Sequence, residues 1–83
     1  MYEFRGGTMY EQLSAIIGRK FQLSPDQITP ASTLNDLGLD SLDVVELALV
    51  IDEELGVHLT DDELVAAGHV GAVAELAASR SAA

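Results

Sequence analysis

The segment from Ser41 to Leu55 contains neither glycine nor proline, and Gly56 follows it directly. Glycine readily adopts the left-handed backbone conformation that ends a helix. The segment is therefore predicted to form one long helix, which is the principal helix of the chain. At a rotation of ~100° per residue, one side of this helix is apolar throughout and typical of a stripe that faces a core: Val44, Leu47, Ala48, Ile51 and Leu55.

Other helix starts are marked by a serine or threonine followed three residues later by glutamate or glutamine, the spacing of a capping box. The first example, Thr8 followed by Glu11, predicts a helix from about Met9 to Phe21. The second, Ser24 followed by Gln27, predicts only a single turn, because Pro30 comes soon after it. The third predicts a short helix from about Asp61 to Ala66 that ends by Gly68. A last helix is predicted from Val70 to Ser79, with an apolar inner side: Val70, Val73, Leu76 and Ala77.

The predicted fold class is all-α, because no stretch alternates apolar and polar residues as a strand does. We expect a small four-helix bundle with three long helices, one short helix and a long first loop that runs through Asp40. With 83 residues, the chain forms one domain that can bury about 60% of its unfolded surface. The predicted domain spans residues 8–79, between flexible tails at residues 1–7 and 80–83.

The charge of the chain is strongly acidic and unevenly distributed. The formal net charge is −10, and no lysine or arginine occurs between Lys20 and Arg80. Such a field repels nucleic acid and anionic lipid and attracts basic protein surfaces. We therefore expect no nucleic-acid partner and no stable membrane association, although an acidic surface can also serve solubility alone.

The chain contains no cysteine. This excludes disulfides, a thiolate metal site and a cysteine nucleophile, so any thiol chemistry must be brought by a cofactor. No apolar run approaches the ~20 residues that a membrane-spanning helix requires, and Met1 to Gly7 does not have the pattern of a secretory signal. We expect a cytoplasmic protein.

The principal helix has a second apolar face opposite its core stripe. Leu42, Val45 and Leu49 lie there, together with Glu46 and Glu53. An apolar centre supplies contact area and an acidic rim supplies steering, a combination suited to brief docking of basic partners. The alternative is that the bundle buries both faces of the helix. The residues that flank this face are Asp43, Val50, Asp52 and Glu54.

Ser41 stands at the start of the principal helix and is the best candidate for a covalent attachment point. A hydroxyl on the first turn projects beside free backbone N–H groups and the positive end of the helix dipole, which suits a phosphate. The simpler interpretation is that Ser41 or Asp40 only caps the helix.

Three runs of residues carry a resemblance to a known family: Leu37-Gly38-Leu39-Asp40-Ser41-Leu42, Asp43-Val44-Val45-Glu46-Leu47 and Asp52-Glu53-Glu54-Leu55-Gly56. With these runs, the chain from about Tyr10 to Leu76 closely resembles acyl carrier proteins. The Asp-Ser-Leu centre is the most specific part, because it opens an acidic helix in a chain of this length and helix order.

The resemblance implies that Ser41 receives 4′-phosphopantetheine from coenzyme A through a separate transferase that uses a divalent metal such as magnesium. The thiol of this arm would hold an acyl group as a thioester, and the carrier itself would catalyse nothing and hold no metal. Asp40 and Leu42 would belong to the motif that the transferase recognises.

By the same resemblance, partner enzymes with basic patches would meet the acidic helix. These partners would be the phosphopantetheinyl transferase, acyltransferases, ketosynthases or other acyl-handling enzymes. The residues expected to contact them are Leu42, Asp43, Val45, Glu46, Leu49 and Glu53.

The resemblance also implies a cargo space, with the principal helix and the short third helix as its walls. Ala66-Ala67-Gly68 replaces a bulkier, more polar stretch that is common in the family, so the size of the cargo stays open. The length argues against a module excised from a large synthase, although the boundaries of an excised domain can give the same length, and we expect a monomer. Leu39 and Asp40 before Ser41 favour the acyl type over the peptidyl type, while fatty-acid and polyketide pathways remain alternatives.

Other classes of function are alternatives to an acyl carrier. A serine hydrolase using Ser41 with His58 or His69 is disfavoured, because the glycines of a nucleophile elbow are missing. A calcium loop starting at Asp36 fails, because Leu47 stands where the bidentate glutamate should be. A peptidyl or aminoacyl carrier remains an alternative, as does an acidic helical interaction module without a prosthetic group.

Overall fold

The computed structural model describes residues 8–81, and this part of the chain is all-α, as predicted. It contains helices α1 (Met9–Phe21), α2 (Ser41–Leu55), α3 (Asp61–Ala67) and α4 (Val70–Ser81), with a 3₁₀ turn at Pro25–Gln27. The predicted bounds of α1 and α2 are confirmed. Within residues 8–81, the β-type pairing is limited to an isolated bridge between Thr33 and His69.

Helices α1 and α3 begin with the predicted capping boxes. The Thr8 hydroxyl accepts a hydrogen bond from the Glu11 N–H, and the Glu11 carboxylate accepts one from the Thr8 N–H. Thr60 and Glu63 form the same pair at α3. Helix α2 ends at Gly56 in the left-handed conformation, with φ of 67°. Local side-chain chemistry therefore fixes these helix ends, as the sequence indicated.

Helix α4 continues to Ser81, two residues past its predicted end at Ser79. Arg80 and Ser81, which the sequence predicts to lie in a flexible tail, are therefore helical residues. The other predicted tail residues, 1–7 and 82–83, lie outside the described part of the chain. The Arg80 guanidinium group binds the Glu63 carboxylate, a partner distant in sequence that helps to hold the last turn of α4. The prediction of the helix end was wrong because this contact leaves no local signal.

The core is formed by one side of each helix together with the loop before α2. Helix α1 packs against α4 and α2, and α3 lies against α2 and α4. Leu47 and Ile51 of α2 are fully buried. The eight largest fully buried side chains are Leu13, Ile16, Ile17, Leu47, Ile51, Leu64, Val70 and Val73.

The long loop before α2 is attached to the junction of α3 and α4 by backbone hydrogen bonds. The Leu34 N–H donates to the Gly68 carbonyl at 3.2 Å, and the Val70 N–H donates to the Ser32 carbonyl at 2.9 Å. Ile28, Leu34 and Leu39 of the same loop are buried. These contacts fix the route by which the chain reaches Ser41.

Two leucines on opposite sides of α2 test this packing. Leu47→Ala leaves a cavity in the core, so we expect it to lower the free energy of unfolding by about 2–5 kcal/mol. Leu49, which is 59% exposed, serves as the matched control, and Leu49→Ala should change that free energy by no more than about 0.5 kcal/mol. Urea unfolding followed by circular dichroism measures both changes. Equal losses would show that the two sides are not packed differently.

Candidate functional site at the start of helix α2

Asp40 caps helix α2, so the two capping interpretations of this site are resolved in favour of Asp40. Its carboxylate accepts a hydrogen bond from the Asp43 N–H at 2.9 Å. In return, the Asp43 carboxylate accepts one from the Asp40 N–H at 3.1 Å. Asp40 and Asp43 thus form a capping box, and Ser41 occupies the first helical position without being the cap.

The Ser41 hydroxyl is available to other molecules. Ser41 is exposed, and within residues 8–81 its hydroxyl forms no hydrogen bond. The backbone N–H groups of Ser41 and Leu42 also have no acceptor in this part of the chain, as is usual in a first helical turn. An anion joined to Ser41 would lie beside these donors and the positive end of α2, so the residues present fit a phosphodiester.

The turn that precedes α2 positions Ser41. Leu39 is buried, and its N–H donates to the Leu34 carbonyl at 3.1 Å. Gly38 has φ of 81°, a conformation that residues with a side chain rarely adopt, and its N–H donates to the Asn35 carbonyl at 2.9 Å. Ser41 therefore follows a turn that is anchored in the core immediately before the helix starts.

An apolar cleft of about 490 Å³ opens beside Ser41. Val44 of α2 and Val65 of α3 contribute two of its walls, so both expected helices are present. Leu34 and Leu39 of the preceding loop form a further wall that the sequence interpretation missed. No pattern in the sequence indicates this wall, because the loop reaches α3 through long-range hydrogen bonds.

The second apolar face of α2 is exposed. Leu42 is 74%, Val45 42% and Leu49 59% accessible to solvent, so the alternative in which the bundle buries both faces is wrong. Val65 of α3 is also exposed, at 65%. We call these four side chains the exposed apolar face. Its α3 member was missed, because a helix of seven residues is too short to show which side faces the core.

The carboxylates around the exposed apolar face differ in their partners. Lys20 of α1 lies 3.9 Å from the Glu46 carboxylate, and Arg19 of α1 binds Glu54. Asp43 is engaged in the capping box. Within residues 8–81, Glu53 forms no ion pair. Of the three candidate docking acids, Glu53 is the one without a salt bridge or capping role in the described part of the chain.

A smaller groove of about 250 Å³ continues the exposed apolar face toward α3. Val45 and Leu49 form one side of it, and Leu59 lies on the other. Asp52 and Asp61 stand at its edge. The arrangement can accept an apolar side chain that has a cationic group close by.

The two histidines do not form a catalytic pair with Ser41. His58 and His69 are exposed, and the Nδ1 atom of His69 contacts the backbone of α4 and its neighbouring loop, 3.2 Å from the Ala72 nitrogen and 3.1 Å from the Pro30 carbonyl.

Within residues 8–81, no three histidine, aspartate or glutamate side chains converge as metal ligands. In the same residues, no helix combines the length and apolar character needed to span a membrane.

Comparison with known proteins gives the class of the chain. The family model described as "Phosphopantetheine attachment site" matches residues 11–77. An acyl carrier protein of Clostridium perfringens strain SM101 is 41% identical over 68 residues, which cover 81% of this chain and 90% of that protein. An acyl carrier protein of Helicobacter pylori strain G27 is 38% identical over 66 residues, which cover 78% and 85%.

The chain belongs to the acyl carrier protein family of phosphopantetheine-binding proteins. The cofactor of the chain is accordingly 4′-phosphopantetheine. Members of this family act as carriers and not as catalysts. The fold, the free serine at the start of α2 and the neighbouring apolar cleft agree with this assignment.

Substitutions at adjacent residues can separate the cap from the candidate attachment point. Asp40→Ala removes the side chain that accepts from the Asp43 N–H, so we expect a loss of about 1 kcal/mol in the free energy of unfolding. Asp40→Asn keeps an oxygen acceptor and should lose less. Ser41→Ala should stay within about 0.5 kcal/mol of the original protein. If chemical unfolding showed Ser41→Ala to be the most damaging change, Ser41 and not Asp40 would be the cap.

Proposed function

We propose that Ser41 carries the 4′-phosphopantetheine arm and that the protein delivers acyl thioesters on this arm to partner enzymes. The observation that carries the proposal is the position of the Ser41 hydroxyl, which is exposed and has no hydrogen bond to any of residues 8–81. It lies beside the N–H groups of Ser41 and Leu42, which also have no acceptor among those residues. Ser41 lines the apolar cleft and directly precedes Leu42 of the exposed apolar face.

Attachment requires a separate phosphopantetheinyl transferase. The Ser41 Oγ atom forms a bond to the phosphorus of coenzyme A that carries the pantetheine half. The bond from this phosphorus to the nucleotide half breaks and releases adenosine 3′,5′-bisphosphate, while the serine proton passes to a base on the transferase. The side chains on either side of the serine, Asp40 and Leu42, are the residues we assign to transferase recognition.

The arm then supplies the thiol that the chain itself lacks. Its acyl group would be held as a thioester, and the cleft beside Ser41 offers apolar surface to such a cargo. Val44, Val65 and Leu39 line this surface. Burial there would stabilise the acyl group by about 0.8 kcal/mol for each CH₂ group removed from water. This favours an acyl group that is partly buried in the cleft over one that is fully exposed.

Partner enzymes would dock on the exposed apolar face and its acidic rim, through the residues Leu42, Asp43, Val45, Glu46, Leu49 and Glu53. The transferase, acyltransferases and ketosynthases with basic patches are the proposed partners. The proposed setting is cytoplasmic fatty-acid or polyketide-type biosynthesis by a monomeric carrier. Leu39 and Asp40 before Ser41 support acyl over peptidyl cargo.

Attachment can be tested by mass. The protein is incubated with coenzyme A, magnesium and a promiscuous phosphopantetheinyl transferase, and its intact mass is measured. We expect a gain of one phosphopantetheine group in the original protein and in Ser79→Ala, an exposed serine far along α4, and no gain in Ser41→Ala. A gain in Ser41→Ala would refute the assignment, and no gain in any variant would favour an interaction module without a prosthetic group.

Docking can be tested by reversing one charge. Glu53→Lys should slow the initial rate of arm attachment about tenfold at low salt, because a cation on this face repels a basic partner. The matched control is Glu75→Lys, the same charge change in the groove between α1 and α4, which should change the rate much less. The difference between the variants should shrink as salt rises. Equal slowing by both variants would mean that only net charge matters.

A further inference from the structure

Helix α3 is held in place mainly by its contacts with neighbouring helices. It has only seven residues, from Asp61 to Ala67, and helices this short are unstable alone. Leu64 is its one side chain in the fully buried core, while Val65 and Ala66 are exposed. The position of α3 therefore depends on the contacts that neighbouring helices make with it.

Arg80, near the end of α4, makes the most extensive polar contact with α3. Its Nη1 atom donates to Glu63 Oε1 at 2.8 Å, and its Nη2 atom donates to Glu63 Oε2. Nη1 also donates to the His58 carbonyl at 3.1 Å. One guanidinium group thus binds both the first turn of α3 and the connection that leads into it, with the two-point geometry that lysine cannot reproduce.

The Glu63 carboxylate joins this contact to the cap of α3. Its Oε1 atom also accepts a hydrogen bond from the Thr60 N–H at 3.0 Å. The hydrogen bond from Arg80, followed by that from Thr60, lowers the pKa of Glu63 from 4.5 to about 2. In the folded protein the carboxylate consequently keeps its charge down to about pH 2, and the stability that the contact contributes is complete above pH 4.5 and is lost as the pH falls from there toward 2.

No other cation in the described residues is placed to substitute for Arg80. Residues 8–81 contain three lysine or arginine side chains, and Arg19 and Lys20 pair with Glu54 and Glu46 of α2. Arg80 alone among the three bridges α4 and α3. Loss of its side chain would leave the start of α3 with its internal cap but without this polar contact to α4.

Helix α3 in turn shapes the cleft at the proposed attachment point. Val65 lies one residue after the buried Leu64 and lines the cleft beside Ser41. A shift of α3 away from α2 would therefore widen the cleft. We propose that Arg80 is a positioning residue that fixes α3 against the bundle and thereby sets the shelter that the Ser41 cleft gives to a bound acyl arm. The part that concerns the arm rests on the proposed function, whereas the part that concerns α3 does not.

Amide hydrogen exchange tests the attachment of α3 without any prosthetic group. Arg80→Gln should speed exchange at the Leu64 and Gly68 amides, whose hydrogen bonds define α3, by about fivefold, the upper range for an exposed ion pair. Glu63→Gln keeps a capping side chain and should have the same effect, and the double variant should add little more. Arg80→Lys should restore part of the protection.

The matched control is Arg19→Gln, which removes an ion pair between α1 and α2 and should leave exchange in α3 unchanged. Equal acceleration in all helices, or additive effects of Arg80→Gln and Glu63→Gln, would overturn the proposal, because the two residues would then not act as one contact.

A second measurement tests the cleft on the loaded protein. An octanoyl thioester is placed on the arm, and its cleavage by hydroxylamine is timed. If α3 controls shelter, Arg80→Gln should accelerate cleavage relative to the original protein, and Arg19→Gln should not. Unchanged cleavage with faster α3 exchange would overturn the link to the cleft. Failure to load any variant would refute attachment at Ser41 while leaving the exchange result as a test of Arg80.

Discussion

The burial of one side of α2 is the constraint on which the rest of the structure depends. Leu47 and Ile51 are fully enclosed by the other elements, while Leu42 and Leu49 on the opposite side stand in solvent. A chain this small cannot cover its longest helix all round. The buried side of α2 therefore anchors the helix in the core, while its outer side and the serine at its start are accessible to other molecules.

Some carboxylates of the chain form contacts within the protein, and the others remain on its surface. The carboxylates of Asp40 and Asp43 accept backbone hydrogen bonds at the start of α2, and that of Glu63 accepts one at the start of α3. Glu46 and Glu54 pair with cations of α1. These contacts relieve part of the self-repulsion expected at a net charge of −10. The acids left on the outer side of α2 and at the start of α3 supply the field that a basic partner would meet.

The cleft and the exposed apolar face share a residue of α3, and this links the space proposed for the cargo to the surface proposed for docking. Val65 belongs both to the exposed apolar face and to the wall of the cleft at Ser41. A partner that contacts α3 therefore acts directly on a wall of the space proposed for the cargo. The contact from Arg80 to Glu63 reaches the first turn of the same short helix, two residues before Val65, so in our proposal it sets how easily such a partner could move α3.

The sequence by itself determined the helices, their starts and most of their ends, because capping boxes, Gly56 and the spacing of apolar residues are local signals. It also indicated the family, through the run from Leu37 to Leu42. Only the tertiary structure decided that Asp40 caps α2 and leaves Ser41 free, since both residues suit a cap.

The tertiary structure likewise decided that Arg80 binds Glu63, that Val65 joins the exposed face and that the loop through Leu34 walls the cleft. These features depend on contacts between residues far apart in the chain. No local pattern encodes such contacts, because their geometry is set only when the helices pack.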